Sequence, residues 1–192
     1  MKTSIILVTH ALTRWNTEGR IQGHTDVPLN DHGRAMAIAL GERMGNEGAD
    51  AVYSSDLTRA VETALPAAAR LGLTVIRDPR LREGRSHLQE RSDRYPTLAF
   101  YREVEAEEHV LMRMEDVMTD IALSHIGQRV LVVSHGAAVD IFITHILESL
   151  GRNFEQYLGI RMALNRLDFH KGQWDCIDLN DAQHLKDSSE NR

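Results

Sequence analysis

The sequence predicts an α/β fold in which a mostly parallel sheet is flanked by helices, giving a three-layer sandwich. Two observations carry this prediction. Short β-branched apolar runs alternate along the chain with longer segments whose apolar residues recur at helical spacing. One run, Val130–Ser134, is apolar at four consecutive positions, as is typical of a central parallel strand covered on both faces.

Length and composition indicate one globular unit. The chain has 192 residues, and domains commonly hold about 150 residues, so we expect a single domain over 1–180 followed by a polar tail at 181–192. Hydrophobic residues make up 42% and charged residues 26%, which excludes a disordered chain. The net charge of −6 argues against nucleic acid or an anionic membrane as a partner.

No segment of the sequence predicts a membrane span or a signal peptide. Apolar runs such as Ile5–Val8 are far shorter than the about 20 residues that cross a bilayer. Cys176 is the single cysteine, so an internal disulfide and a thiolate metal site are both excluded. We therefore expect a cytoplasmic protein.

The first half of the chain begins with a predicted buried strand at Ser4–Thr9, followed by a polar loop that runs to about Asn30. A helix is predicted from Asp31, because Met36, Leu40 and Met44 recur at helical spacing. A short strand follows at Ala51–Ser54.

The next helix has the clearest pattern in the sequence. Its apolar stripe runs from Leu57 to Leu71, with Asp56 as the predicted N-cap and Gly72 as the stop. Pro66 lies inside this helix, where we expect a kink.

The second half continues the alternation. The predicted elements are a strand at Thr74–Arg77, a loop over 80–94, a helix over 107–126, the strand Val130–Ser134 and a helix at Ala137–Leu150. Arg166–His170 and Trp174–Leu179 then predict a pair of edge strands, which are able to pair across a homodimer.

Two histidines follow predicted strands at equivalent places. His10 and His135 both lie where a strand ends, and parallel sheets place their sites beyond the carboxyl ends of the strands. Gly136 after His135 allows the backbone to approach a ligand closely. Arg59, in the first turn of its helix, adds a guanidinium fork, so the group suits an anion such as phosphate.

Three blocks of the sequence resemble the motifs of the histidine phosphatase superfamily, the phosphoglycerate mutase-like proteins. Leu7–Gly23 is similar to L-V-R-H-G-E-T-x-W-N-x-x-G-R-x-Q-G, and Ser54–Ala64 to S-S-D-L-x-R-A-x-Q-T-A. Val130–Gly136 is similar to V-L-V-V-S-H-G. The order and spacing of the blocks agree over almost the whole chain, which implies a phosphoglycerate mutase-like fold.

The resemblance also implies roles for individual residues. His10 is implied as the nucleophile that takes the phosphoryl group, and Glu83, in a segment similar to L-x-E, as the general acid. Phosphate is implied to be held by a set of residues that includes the second histidine: His135, Arg59, Asn16, Gln22 and Gly23. The family chemistry implies neither a metal nor a cofactor. His24 and His87 are candidates for the pocket rim by loop position.

The first motif departs from the family pattern beside the nucleophile. Thr9, Ala11 and Leu12 stand where the family has arginine, glycine and glutamate. Threonine cannot replace a bidentate phosphate contact, so we consider whether Arg14, Arg82 or Arg85 compensates. If the missing arginine is the main defect, Thr9→Arg is expected to raise kcat/KM by at least about tenfold. If the backbone at Ala11 needs a positive φ, its methyl group introduces strain.

These observations predict a phosphatase that hydrolyses small phosphomonoesters through a phosphohistidine on His10. The departures leave open a catalytically weakened or inactive member that binds a phosphorylated ligand or a protein partner. A phosphoglycerate mutase is less favoured because the chain is compact. Substrate identity depends on the loop over 84–105, which carries no motif. An unperturbed imidazole pKa near 6.5 predicts that activity falls below about pH 6.

Overall fold

A computed structural model describes residues 1–84, 105–152, 157 and 159–186 of the chain. Within these residues the strands form one six-stranded sheet. The strands are β1 (Thr3–Thr9), β2 (Ala51–Ser54), β3 (Val75–Arg77), β4 (Arg129–Ser134), β5 (Leu164–His170) and β6 (Gln173–Asp181). Their spatial order is β3-β2-β4-β1-β5-β6; the first four are parallel, while β5 runs antiparallel to β1 and β6 antiparallel to β5.

Helices follow the strands as the alternation predicts. They are α1 (Arg14–Thr17), α2 (Asp31–Glu47), α3 (Thr58–Leu71), α4 (Glu107–Ser124), α5 (Gly136–Ser149) and α6 (Gln183–Lys186), with a 3-10 turn at Pro79–Leu81. Helix α3 ends at Gly72, whose left-handed φ of 69° suits glycine, as expected of this stop.

Two apolar cores cover the two faces of the sheet. Because side chains alternate along a strand, Ile5 and Leu7 of β1 face one core, which holds the apolar residues of α4 and α5. Ile6 and Val8 face the other, which holds those of α2 and α3. The predicted α/β sandwich, with a mostly parallel sheet between helices, is confirmed.

Two local predictions are corrected. Strand β5 is not an edge strand, since it pairs with β1 on one side and β6 on the other; of these two strands, β6 lies at the edge of the sheet that the described residues form. Asp56 is not the N-cap of α3. Its carboxylate accepts two hydrogen bonds from Arg82, both of 2.6 Å, and the backbone N–H of Thr58 instead donates to Asp26, at 2.7 Å.

The chain beyond β5 is more ordered than the predicted polar tail. Strand β6 continues through Asp181, and α6 follows it with His184 buried. The rest of the predicted tail, 187–192, lies outside the described residues. No helix in the described part of the chain is long and apolar enough to cross a membrane.

Candidate active site

His10 and His135 meet at the carboxyl end of the sheet. Parallel pairing of β1 with β4 sets Thr9 opposite Ser134, and the N–H of His10 donates to the carbonyl of Ser134 at 2.8 Å. Each histidine is the residue after its strand, and the two ring centroids are 5.2 Å apart. The register of the central strands therefore brings together the two histidines that the sequence singled out.

His10 is held as a neutral imidazole with a defined tautomer. Its Nδ1 lies 2.6 Å from the carbonyl oxygen of Ala11, and since a carbonyl accepts, Nδ1 carries the hydrogen. Burial, together with the positive charge of Arg59, lowers the pKa of His10 to about 3. The lone pair consequently resides on Nε2 at neutral pH, which is the form that a nucleophile needs.

His135 is fully buried, and neither ring nitrogen has a hydrogen-bond partner among the described residues. Burial and the neighbouring His10 lower the pKa of His135 well below its ordinary value. Buried polar groups are nearly always paired, so two unpaired ring nitrogens beside His10 indicate a place for a ligand.

Arg59 is a buried cation with no carboxylate partner in hydrogen-bond reach within the described chain. Its Nη1 and Nη2 donate to the carbonyls of Thr25 and Gly23, each at 2.8 Å, while Nε has no partner there. Burial lowers the pKa of Arg59 to about 10, so it remains charged at neutral pH. Gly23 has φ of 48°, in the left-handed region that favours glycine. A buried cation whose hydrogen bonds in the described chain run to carbonyl oxygens favours an anionic ligand.

Asn16 and Gln22 are joined to each other through Thr13. Thr13 Oγ1 lies 2.9 Å from Gln22 Oε1 and 3.0 Å from Asn16 Oδ1. Asn16 also forms the capping box of α1 with Thr13. Neither amide is hydrogen-bonded to His10, His135 or Arg59 in the described residues. Their predicted contact with phosphate stays a prediction.

Glu83 places its carboxylate at the N-terminus of α5, next to His135. It accepts hydrogen bonds from the backbone N–H groups of Ala137, at 3.3 Å, and Ala138, at 3.2 Å. Its backbone carbonyl accepts from Nε2 of His24, at 2.8 Å, so His24 lies beside the predicted acid. His87, the other rim candidate, lies outside the described residues.

Arg113 holds the segment that carries Glu83. Its guanidinium donates to the carbonyl of Glu83, at 3.0 Å, and to those of Arg80 and Arg82. No sequence pattern marks Arg113 as a site residue. It lies three residues after buried Val110 on α4 and belongs to no motif, so only its tertiary contacts reveal it.

Three arginines are candidates to replace the motif arginine, and none of them is placed beside His10 in the described part of the chain. Arg14 is exposed and pairs with Glu18, while Arg82 pairs with Asp56. Arg85 lies outside the described residues. Instead Arg161, which belongs to no motif of the sequence, places Nη1 3.5 Å from the carbonyl oxygen of His10.

Ala11 is accommodated without backbone strain. It does not have a positive φ, since the non-glycine residues with positive φ in the described chain are Met162, Lys171 and Asn180. Its N–H donates to Oγ1 of Thr63 at 3.0 Å. The methyl group at position 11 therefore does not disturb the loop that follows the nucleophile.

A search of the described ranges finds no cluster of three or more histidine, cysteine, aspartate or glutamate side chains arranged to hold a metal ion.

Comparison with known proteins agrees with this geometry. The family model of the histidine phosphatase superfamily (branch 1) matches residues 5–182. The chain is 33% identical to phosphoglycerate mutase-like protein 4 of Arabidopsis thaliana, over 96% of this chain and 87% of that protein. It is 32% identical to a metal-independent phosphoserine phosphatase of the same plant, over 95% and 83%.

Among solved structures, the chain superposes on a mycobacterial glucosyl-3-phosphoglycerate phosphatase in complex with VO3. The TM-score is 0.77 and the identity 25%, covering 94% of this chain and 99% of that one. The sheet order, the pair of histidines and the family match together establish that the chain belongs to the histidine phosphatase superfamily, branch 1.

Proposed function

We propose that the protein is a phosphatase that hydrolyses small phosphomonoesters through a phosphohistidine on His10. The observation that carries this proposal is the state of His10. Its imidazole is neutral, its Nδ1 is tied to a carbonyl, and it lies against His135 beside a buried arginine that has no carboxylate partner within the described residues. Such a group is a nucleophile placed at an anion site.

In the first step Nε2 of His10 attacks phosphorus and the bond from phosphorus to the ester oxygen breaks. Arg59 and His135 are the donors that hold the phosphoryl oxygens, which carry the charge of the transition state. Glu83, in its protonated form, gives its proton to the leaving alkoxide. The hydrogen on Nδ1 stays with the carbonyl of Ala11, so the imidazole keeps its orientation.

In the second step water attacks the phosphohistidine. The bond from phosphorus to Nε2 breaks, and the Glu83 carboxylate takes a proton from the attacking water, by microscopic reversibility of its role as acid. Inorganic phosphate leaves, and the lone pair returns to Nε2. The protein ends the cycle in the state in which it began.

Chain length does not separate hydrolysis from mutase activity. The chain covers more than four-fifths of a relative named as mutase-like and of one named as a phosphatase. The compactness that disfavours a mutase in the sequence is therefore not decisive. The relative named as a phosphoserine phosphatase supports hydrolysis of a small phosphomonoester and makes phosphoserine a suitable first substrate.

The test is trapping of the intermediate. The protein is incubated with phosphoserine or p-nitrophenyl phosphate carrying a labelled phosphoryl group and quenched in alkali. We expect an alkali-stable, acid-labile phosphoryl group that is absent from His10→Ala and present in His170→Ala, which changes an exposed histidine. Released phosphate is measured in parallel, and interconversion of phosphoglycerate isomers tests the mutase.

The outcomes separate the candidate functions. An adduct on His10 with release of phosphate supports the phosphatase. Phosphate binding with neither adduct nor turnover contradicts it and supports the weakened family member that the changes at Thr9, Ala11 and Leu12 suggest. Isomer interconversion faster than phosphate release supports the mutase.

A further inference from the structure

Arg161 lies beside His10, and no other side chain in the described residues is hydrogen-bonded to its guanidinium. The hydrogen bond that we find for its guanidinium among the described residues runs from Nη1 to the carbonyl of His10, at 3.5 Å, the outer limit for such a contact. The side chain is half-buried. Within the described part of the chain, most of its N–H donors therefore remain available to a ligand near His10.

The charges around Arg161 belong to the active site. Its positive charge lowers the pKa values of both His10 and Arg59. The carboxylates of Glu83 and Asp140 act on Arg161 in turn, opposing the decrease of its pKa by burial. Two guanidinium groups of like charge thus lie near one histidine, where a bound anion offsets their mutual repulsion.

The backbone that carries Arg161 is fixed by Thr9. The N–H of Met162 donates to Oγ1 of Thr9 at 2.9 Å, and Met162 is fully buried with φ of 62°. A left-handed conformation is unfavourable for a residue with a side chain, so it persists where surrounding contacts impose it. Since Thr9 directly precedes His10, one strand end positions both the nucleophile and Arg161.

We propose that Arg161 binds the phosphoryl group that is transferred to His10, together with Arg59, and that Thr9 is a positioning residue that holds the turn at Arg161 and Met162. The inference rests on the proposed function of this site. The second cation of the phosphate pocket is then Arg161, which lies far along the chain from the first motif. Arg161 brings the fork of N–H donors that suits phosphate oxygens.

The experiment measures two quantities on purified protein: the affinity for inorganic phosphate by calorimetry, and kcat/KM for p-nitrophenyl phosphate. We expect Arg161→Ala to lower kcat/KM by about 10²–10³, as for loss of one transition-state donor, and to weaken phosphate binding. Arg161→Lys is expected to retain part of both, because it keeps the charge without the fork. Added guanidinium ion is expected to restore part of the Arg161→Ala activity.

The matched control is Arg34→Gln, which removes an arginine that is paired with Asp31 on exposed α2 surface. It is expected to match the parent protein in both measurements. Circular dichroism checks that each variant is folded. If Arg161→Ala does not fold, Arg161→Lys is used for the test instead. Phosphate affinity and kcat/KM equal to those of the parent protein in Arg161→Lys then overturn the inference.

Unchanged phosphate affinity and kcat/KM in folded Arg161→Ala also overturn the proposal while leaving the phosphatase function intact. If the parent protein forms no phosphohistidine, the proposed function fails. In that case an Arg161-dependent affinity for phosphate still supports the role of Arg161 in binding.

Discussion

The hydroxyl of Thr9 accepts a hydrogen bond of 2.9 Å from the backbone N–H of Met162, joining the end of β1 to the turn that carries Arg161. Thr9 is 6% exposed, so the bond lies in the interior, where an unmade hydrogen bond is costly. Thr9, which stands where the family motif has arginine, therefore has a structural role of its own. A larger side chain at position 9 would displace the turn.

The first prediction concerns substitutions at Thr9. Thr9→Ser keeps the hydroxyl and is expected to stay within about threefold of the parent kcat/KM. Thr9→Val has a similar shape without the acceptor, and is expected to lose at least about tenfold, because the N–H of Met162 is left unpaired. Steady-state kinetics with p-nitrophenyl phosphate measures both.

The substitution Thr9→Arg distinguishes the prediction made from the motif from the prediction made from the structure. The sequence pattern alone predicts a gain of at least about tenfold for this change, whereas the buried contact with Met162 predicts a loss. A gain in kcat/KM would show that position 9 is a vacant phosphate site and that the Met162 bond is dispensable.

The second prediction concerns Glu83 as the acid. Glu83→Gln is expected to lower kcat for an alkyl phosphate such as phosphoserine by about 10²–10⁴, the usual contribution of a general acid. The decrease is expected to be smaller for p-nitrophenyl phosphate, whose phenolate leaves without a proton. The kcat values for the two substrates are compared in the parent and the variant.

The control for Glu83 is Glu108→Gln, which changes an exposed carboxylate in the first turn of α4. It is expected to leave both kcat values unchanged. Equal losses for the two substrates in Glu83→Gln would contradict the role of proton donor and would indicate a general effect on the shape of the site.

The third prediction concerns the protonation of His10. An unperturbed imidazole predicts loss of activity below about pH 6, but burial lowers the pKa of His10 to about 3. Loss of activity between these values is therefore expected to come from other groups. In the free protein, nitrogen NMR of the ring is expected to show a neutral imidazole at about pH 5, where an ordinary histidine is charged.

The same shift makes stability depend on pH. In the unfolded chain the histidine takes up a proton as the pH falls below about 6.5, while folded His10 stays neutral until about pH 3. The unfolded state thus binds more protons in this window, and His10 lowers the free energy of unfolding by up to about 1.4 kcal/mol for each pH unit of acidification.

Urea unfolding at pH values between about 7 and about 5 measures this effect. At about pH 5 the histidine is charged in the unfolded chain but neutral in the folded protein. His10→Gln is expected to lose less stability on acidification than the parent, while His170→Gln is expected to follow the parent. Parallel curves for parent and His10→Gln would show that His10 is protonated at its ordinary pKa in the folded state.

Much of the architecture could be predicted from periodicity and motifs. Strand β4 and helix α3 have clear local patterns in the sequence. His10 and His135 each follow a predicted strand, and a parallel sheet brings such strand ends together. Asp56 shows where local reasoning fails. A good N-cap residue is drawn into a pair with Arg82, and Asp26, distant in sequence, takes the helix N–H instead.

By itself, the sequence predicted the fold class, the family motifs and the candidate nucleophile, because these depend on residue types at fixed spacing. Only the tertiary structure decided what surrounds that nucleophile. Arg161 and Arg113 belong to no motif, and they reach the site because the chain returns to the end of β1 and packs α4 against the segment of Glu83. A charge supplied by a distant segment has no signature in local spacing, since its position follows from how the layers pack.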